Sequence, residues 1–378
     1  MHGNIRCSEC DADYGTATTA HRCPVCQNPL TFDLPTRAFP RDAITERPAH
    51  MWRYAEALPQ FDEPISLGEP VTPLVPLRIG SLDVLAKCEF QMPSGSYKDR
   101  GSAFLASYLK QAGVTNAVED SSGNAGASLA AYMTRGGIGL KVFCPDSASA
   151  GKLAQIQLHG AEVEKIPGPR PRATEALLAE LERSGAVYAS HSWHPLFLEG
   201  LRTMAYEITE QLEWSAPDYV CCPVGGGSIL LGLFHGFSDL LEAGLIDRLP
   251  SLIAVQAENV SPVCAAFAAG QDEVAPAADP KPTLAEGIAL LQPARHRELL
   301  QALRASDGHA VAVSEKDIEE GVHALGRSGF FVEPTSAVVW QGLTRLHEQE
   351  RFPHGSTIVA ILSGHGLKAS EKLAQLTS

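Results

Sequence analysis

From Ile65 onward the chain alternates two textures. Short, continuous apolar or β-branched runs predict strands near residues 84–87, 140–144, 186–189, 219–222, 252–256, 310–313 and 357–362. Between them lie stretches with helical period, such as GSAFLASYLKQAG, LRTMAYEITEQL and PTSAVVWQGLTRLHEQ. Strands that are apolar throughout and alternate with helices predict an α/β fold, with parallel sheets covered by helices on both faces. Residues 27–66 differ: they are rich in Pro and Arg, show little periodicity and read as a linker, with one short helix expected in MWRYAEALP. Residues 265–282 read as a surface excursion.

Composition narrows the setting. The 378 residues are 44% apolar and 20% charged, which suits a soluble globular chain. A net charge of −14 argues against non-specific nucleic-acid binding and against an anionic membrane surface. It leaves room for a small anionic substrate, because salt screens distant charge beyond ~8–10 Å. The opening MHGNIRCSEC has no apolar signal core, and no run reaches the ~18 apolar residues of a membrane span. The expectation is a cytoplasmic protein whose nine cysteines are thiols. Four of them are ordered as Cys7-x-x-Cys10, twelve residues, then Cys23-x-x-Cys26. Two such turns supply the four thiolates of a structural zinc knuckle, the alternative being two reduced pairs without metal. A nucleic-acid ribbon is disfavoured, since residues 1–50 hold five Arg and no Lys against six acidic residues. Cys88, Cys144, Cys221, Cys222 and Cys264 sit mostly in apolar runs and read as buried small hydrophobes.

Open α/β sheets bind ligands beyond the carboxyl ends of their strands, so the strand-to-helix turns carry the chemistry. EDSSGNAGAS offers the Ser121 and Ser122 hydroxyls, the Asn124 amide and free N–H groups at a helix start, a set suited to a carboxylate. CCPVGGGSILLG ends a strand in Gly225, Gly226, Gly227 and Ser228. Successive glycines let backbone N–H groups close on a phosphate at a helix N-terminus. The dinucleotide fingerprint is excluded, because its third glycine would fall on Leu230. Alone, this turn fits a phosphate site and a plain tight turn equally. ILSGHGLK delivers Ser363 to the same edge and is a weak signal by itself. The stretch PSGSYKDRG then gains a purpose. A lysine amine, Lys98, on a small-residue loop condenses with an aldehyde cofactor whose phosphate sits elsewhere, and pyridoxal phosphate is such a molecule.

In order along the chain, SGSYKDRG, SSGNAG, PVGGGS, AEGIA, VEPTSAV and LSGHGLK resemble the signature segments of the fold type II pyridoxal-phosphate enzymes, the tryptophan synthase β-like superfamily. GEPVTPLVPL, SAGKLAQ and LEGLRT are most similar to the threonine synthases and threonine-synthase-like proteins, some of which also carry a four-cysteine knuckle. The resemblance covers roughly residues 68–368. It implies two parallel-sheet α/β domains with the cofactor in the cleft: a large one from 67–98 and 191–378, and a small one from 99–190. A knuckle at 1–35 and a linker at 36–66 precede them. The resemblance also implies roles. Lys98 joins the cofactor and moves protons at the substrate's carbons. Asn124 meets the ring oxygen, Ser363 the pyridine nitrogen, and Gly225, Gly226, Gly227 and Ser228 the phosphate. Ser121, Ser122, Asn124 and Ala125 take the substrate carboxylate, and His191 and Ser192, in the segment with which threonine synthases hold the substrate's phosphate, can still contact an anion.

The implied reaction is lyase chemistry on a small L-amino acid. It is O-phosphohomoserine to threonine or a related β/γ-elimination or replacement, with a dehydratase giving a keto acid as the alternative. A non-catalytic sensor of the cofactor or an amino acid is the second class. A homodimer is implied, without nucleic-acid or membrane partners. One departure stands out. Where threonine synthases show Asn-Ser-x-Asn-Pro-x-Arg, this chain has His191-Ser192-Trp193-His194-Pro195-Leu196-Phe197. A phenyl ring replaces the guanidinium, and PVGGGS and AEGIA lean toward the serine and threonine dehydratases.

Overall fold

The computed structural model of the chain describes residues 3–376, apart from 149 and 169. Twelve strands follow one another along these residues: β1 (Asn4–Cys7), β2 (Leu30–Asp33), β3 (Leu74–Ile79), β4 (Leu82–Lys87), β5 (Asn116–Glu119), β6 (Gly139–Pro145), β7 (Glu162–Ile166), β8 (Val187–Tyr188), β9 (Tyr219–Pro223), β10 (Ser251–Ala257), β11 (His309–Val313) and β12 (Ile358–Ile361). The chain forms two units, Met1–Pro70 with Lys98–Gly200, and Val71–Tyr97 with Leu201–Ser378.

In the first unit, β1 and β2 form an antiparallel pair that buries Ile5, Leu30 and Phe32. The main sheet runs β7-β6-β5-β8, all parallel. Val118, Phe143 and Tyr188 on this sheet pack against Ala173 and Leu177 of the helix Arg170–Ser184. Edge strand β7 reads EVEKI, and its charges suit a strand with one unpaired side. Strands β5 and β8 pair Ala117 with Val187 and Val118 with Tyr188, so the segments that leave them emerge at one sheet edge.

The second unit holds a six-stranded sheet in the order β11-β10-β9-β12-β4-β3. Five strands are parallel; β3 runs antiparallel to β4 at the edge, where Pro76 costs no ladder bond. Its core joins Val84, Ala86, Cys221, Ile253, Val255, Ile358 and Ala360 to Val338, Val339 and Leu343 of the helix Pro334–Glu348. Within this unit Lys87 is fully buried and paired to Glu207 at 2.7 Å, and its Nζ also donates to Thr72 O at 2.8 Å and Gln211 Oε1 at 3.0 Å.

All seven expected strands are present. Five others, β1, β2, β3, β5 and β7, lack a long apolar run, being short, charged or interrupted by proline. MWRYAEALP forms a 3-10 segment, Met51–Ala57, broken at Tyr54, instead of one regular helix. The supposed linker contains β2 and the short helix Arg41–Glu46. The excursion at 265–282 begins inside the helix Pro262–Ala268 and turns irregular only beyond it. Among the described residues no helix is long and apolar enough to cross a membrane.

Candidate active site

Lys98 opens the helix Lys98–Gln111 of the first unit. Its Nζ lies 5.6 Å from the ring centroid of Phe197, which is fully buried. Two glycines explain this approach. A Cβ at Gly101, one turn on from Lys98, would meet the Phe197 ring at 2.5 Å, and a Cβ at Gly200 would overlap the Arg100 carbonyl. Small residues therefore let this helix and the helix Pro195–Gln211, which carries Phe197 and Gly200, close until the phenyl ring stands beside the amine. Asp99, fully buried, lies 2.6 Å from Ser128 Oγ, which is 2.7 Å from Ser102 Oγ. These bonds tie the helix of Lys98 to the helix Asn124–Gly136.

Ser121, Ser122, Asn124 and Ala125 stand where β5 passes into the helix Asn124–Gly136. A Cβ at Gly126 would overlap the Ser121 carbonyl, so that glycine is what lets the turn fold onto the helix start. Gly123 caps the helix without a side-chain hydrogen bond, and a helix start leaves N–H groups without intrahelical partners. His191 and Ser192 follow β8, the neighbour of β5. His191 Nδ1 lies 2.7 Å from Oε1 of Glu119, the last residue of β5. Burial, then the Asp120 carboxylate, pushes the Glu119 carboxyl well above the usual range. Burial, then Lys98 and Arg170, holds the His191 imidazole well below its ordinary value. Burial thus disfavours the charged form of each partner. The His191 ring also meets Phe197 edge-on, with centroids 6.1 Å apart.

In the second unit, β9 leads into Gly225, Gly226 and Gly227, and Ser228 begins the helix Ser228–Glu242. Gly227 adopts the left-handed φ of +81° and caps the helix without a side-chain bond. A Cβ at Gly225 would lie 2.7 Å from the Ile288 Cα, because the 3-10 turn Glu286–Ile288 packs directly over the glycines. Ser228 Oγ is 3.0 Å from the Tyr97 hydroxyl. Ser363 is buried, its Oγ 3.0 Å from Ser336 Oγ; Ser336 Oγ in turn accepts the Gly364 N–H at 2.9 Å. The loop before Lys98 lies along this segment, with Ser96 bridged to Gly364 and the Tyr97 N–H donating to Ser363 O at 3.0 Å. Ser96 Oγ is fully buried and has no protein partner.

The four amino-terminal cysteines converge, all four Sγ atoms within 4.8 Å of one another, with Cys7 to Cys26 at 3.3 Å and Cys10 to Cys23 at 3.7 Å. Arg202, one turn beyond Leu198, is committed elsewhere in its own unit: its Nη1 holds both Asp239 oxygens at 2.9 Å. Sequence reasoning missed Glu119, Ser336 and Tyr97. Ser336 and Tyr97 lie inside quoted motifs, VEPTSAV and SGSYKDRG, but nothing in the sequence marks Glu119 as the partner of a histidine 72 residues on.

Comparison with known proteins agrees with this layout. The sequence profile of the family described as pyridoxal-phosphate dependent enzyme matches residues 65–364. The threonine synthase of Methanocaldococcus jannaschii is 35% identical over 336 residues, 86% of this chain and 82% of that protein. The threonine synthase of Methanosarcina acetivorans is 32% identical over 97% of this chain and 92% of its own. The processed threonine deaminase isoform 2 from Solanum lycopersicum, 22% identical, shares the fold with a TM-score of 0.71 over 81% of this chain and 82% of its own. This chain belongs to the pyridoxal-phosphate-dependent enzyme family, in its fold type II branch, as a carbon–oxygen lyase akin to the threonine synthases.

Proposed function

We propose that the chain removes a β or γ oxygen substituent from a small L-amino acid, with conversion of O-phosphohomoserine to threonine as the first reaction to test. The observation that carries the reading is the environment of Lys98: a single buried ring, Phe197, touches the surroundings of both the Lys98 amine and the His191–Glu119 pair. The available residues fit pyridoxal phosphate. The three glycines and the uncapped helix start at Ser228 suit its phosphate, and the orphaned Ser96 Oγ leaves a buried polar group for a ligand to satisfy. When bound, the cofactor supplies an electron sink for the substrate's α-carbon. Lys98 would hold it through its side-chain amine, and the same amine would take the substrate's α-proton. Asn124 would hold its ring oxygen. Ser363, paired to another hydroxyl, would offer the pyridine nitrogen a neutral partner. Ser121, Ser122 and the N–H groups at the start of the helix orient the substrate carboxylate.

A dehydratase giving a keto acid is the second reading, and Phe197 favours it, since a phenyl ring offers a substrate phosphate no charge-assisted bond. The cysteine cluster holds structural zinc: the edges of a tetrahedron with ~2.3 Å Zn–S bonds are ~3.8 Å, close to the spacings present. A substrate panel tests the main reading. The holoenzyme is given O-phosphohomoserine, threonine and serine, and phosphate, threonine and keto acid are assayed. Phosphate and threonine from the first compound are expected; keto acid from the hydroxy amino acids alone transfers the assignment to the dehydratase. In the same panel Lys98→Ala is expected to lose all turnover and the visible absorbance of the covalently held cofactor, while its far-ultraviolet circular dichroism stays unchanged. Retained absorbance would overturn the anchor.

A further inference from the structure

Glu119 has no part in the assignments above, yet it is the most unusual group near Lys98. It is fully buried, and its Oε2 has no hydrogen-bond partner. The adjacent Asp120 shows what a satisfied carboxylate in this turn looks like: Thr174 Oγ1 donates to it at 2.6 Å and the Tyr188 hydroxyl at 2.9 Å. An orphaned anionic oxygen costs far more than an orphaned carbonyl oxygen of a neutral acid. The geometry therefore suits a protonated Glu119 that donates through Oε1 to His191 Nδ1, 2.7 Å away. That bond leaves the imidazole proton on Nε2, the edge facing away from Glu119. The His191 side chain keeps 13% of its exposure, whereas Glu119 keeps none, so access to the pair is through the imidazole. The charged groups acting on it are Asp120, Arg170 and Lys98, and burial outweighs the pull of the two cations and of the His191 backbone N–H on Glu119.

Resting on the lyase reading, we propose that Glu119 and His191 form a proton relay that protonates the departing oxygen of the substrate. A leaving oxygen carries away the electron pair of its bond to carbon and becomes a poor leaving group unless that charge is met. The sequence offers no guanidinium at Phe197 to meet it, and Arg202 is taken by Asp239. As the C–O bond breaks, its electron pair stays on oxygen, and the electrons at the substrate's α-carbon side form the new carbon–carbon double bond. His191 Nε2 gives its proton to the oxygen, and Nδ1 takes the proton of Glu119. Glu119 ends as a carboxylate accepting from Nδ1–H, the imidazole ends neutral in its other tautomer, and solvent returns the proton through Nε2. His191 is the catalytic residue; Glu119 positions it and supplies the proton.

The holoenzyme variant Glu119→Gln separates these roles. Its amide still donates to Nδ1 and holds the tautomer but has no proton to release. With whichever oxygen substrate the parent enzyme turns over, kcat is expected to fall ~100-fold at unchanged KM. With β-chloro-L-alanine, whose chloride leaves without a proton, kcat is expected to stay within about twofold, since the ~10²–10⁴-fold contribution of proton donation is not in use there. Equal losses on both compounds, or on neither, would overturn the relay. In the apoprotein, nitrogen-15 spectra of the imidazole are expected to show His191 protonated on Nε2 alone, in parent and variant alike. An imidazolium, or a proton on Nδ1, in the parent would overturn it. Should the parent turn over neither compound, the lyase reading fails, and these spectra decide the pair independently.

Discussion

Burial disfavours the charged form of both Glu119 and His191, and that has opposite consequences with pH. The folded Glu119 carboxyl titrates well above its unfolded value of ~4.3. Above that pH the unfolded chain releases a proton the folded chain retains, so stability falls as pH rises toward the folded value. His191 does the reverse: below ~6.5 the unfolded chain takes up a proton the folded chain refuses, so stability falls as pH drops. Glu119→Gln removes only the first effect. The melting temperature of the variant relative to the parent is expected to rise between about pH 5 and about pH 8, by an amount set by the linkage slope. Thermal melts at the two pH values check this. A difference independent of pH would mean that Glu119 is ionised in the fold.

Among elements, the turn between β9 and the helix Ser228–Glu242 is held in place by a neighbour of quite different sequence position, the 3-10 turn Glu286–Ile288. The Gly287 N–H donates to Thr335 Oγ1 at 3.0 Å, which fixes that turn to the helix Pro334–Glu348. Gly225→Ala would place its Cβ 2.7 Å from the Ile288 Cα, a backbone atom that cannot rotate aside. Overpacking of this kind costs ~1–3 kcal/mol. The expected outcome is a loss of that order in denaturant melts and, with it, at least ~5-fold weaker cofactor binding by visible titration, since ~1.4 kcal/mol is tenfold. Binding unchanged from the parent would argue that the phosphate lies elsewhere.

Within the first unit, the four-cysteine segment is more than an appendage. His21 packs on Tyr188 with ring centroids 5.0 Å apart, the Arg22 guanidinium lies 5.8 Å from the Trp193 ring, and the Tyr108 hydroxyl donates to Thr18 O. The loop between the two cysteine pairs thus buttresses the segment that carries His191 and Ser192. Purified protein is expected to hold about one zinc per chain, the content of a single four-thiolate site. Chelation is expected to lower the melting temperature and expose residues 18–22 to protease, while the cofactor stays bound. Metal-free protein with the same melting temperature would remove zinc from the account and leave two reduced pairs.

The sequence by itself determined the alternation of sheets and helices, the order of the motif turns and the residue types they present. Continuous apolar runs such as β9, β10 and β12 are buried on both faces and declare themselves locally. The same holds for Lys98, the triple glycine and the paired cysteines, whose chemistry is written in adjacent residues. Strands β5 and β7 were illegible, because a short or charged strand is made by its neighbours' hydrogen bonds and not by its own pattern. Tertiary structure alone decided that Phe197 lies beside Lys98, that Arg202 is spent on Asp239, and that Glu119 meets His191. Each depends on residues that only the fold brings together. Two glycines let helices approach, and parallel pairing of β5 with β8 brings residues far apart in the chain to one edge. No local periodicity encodes either event.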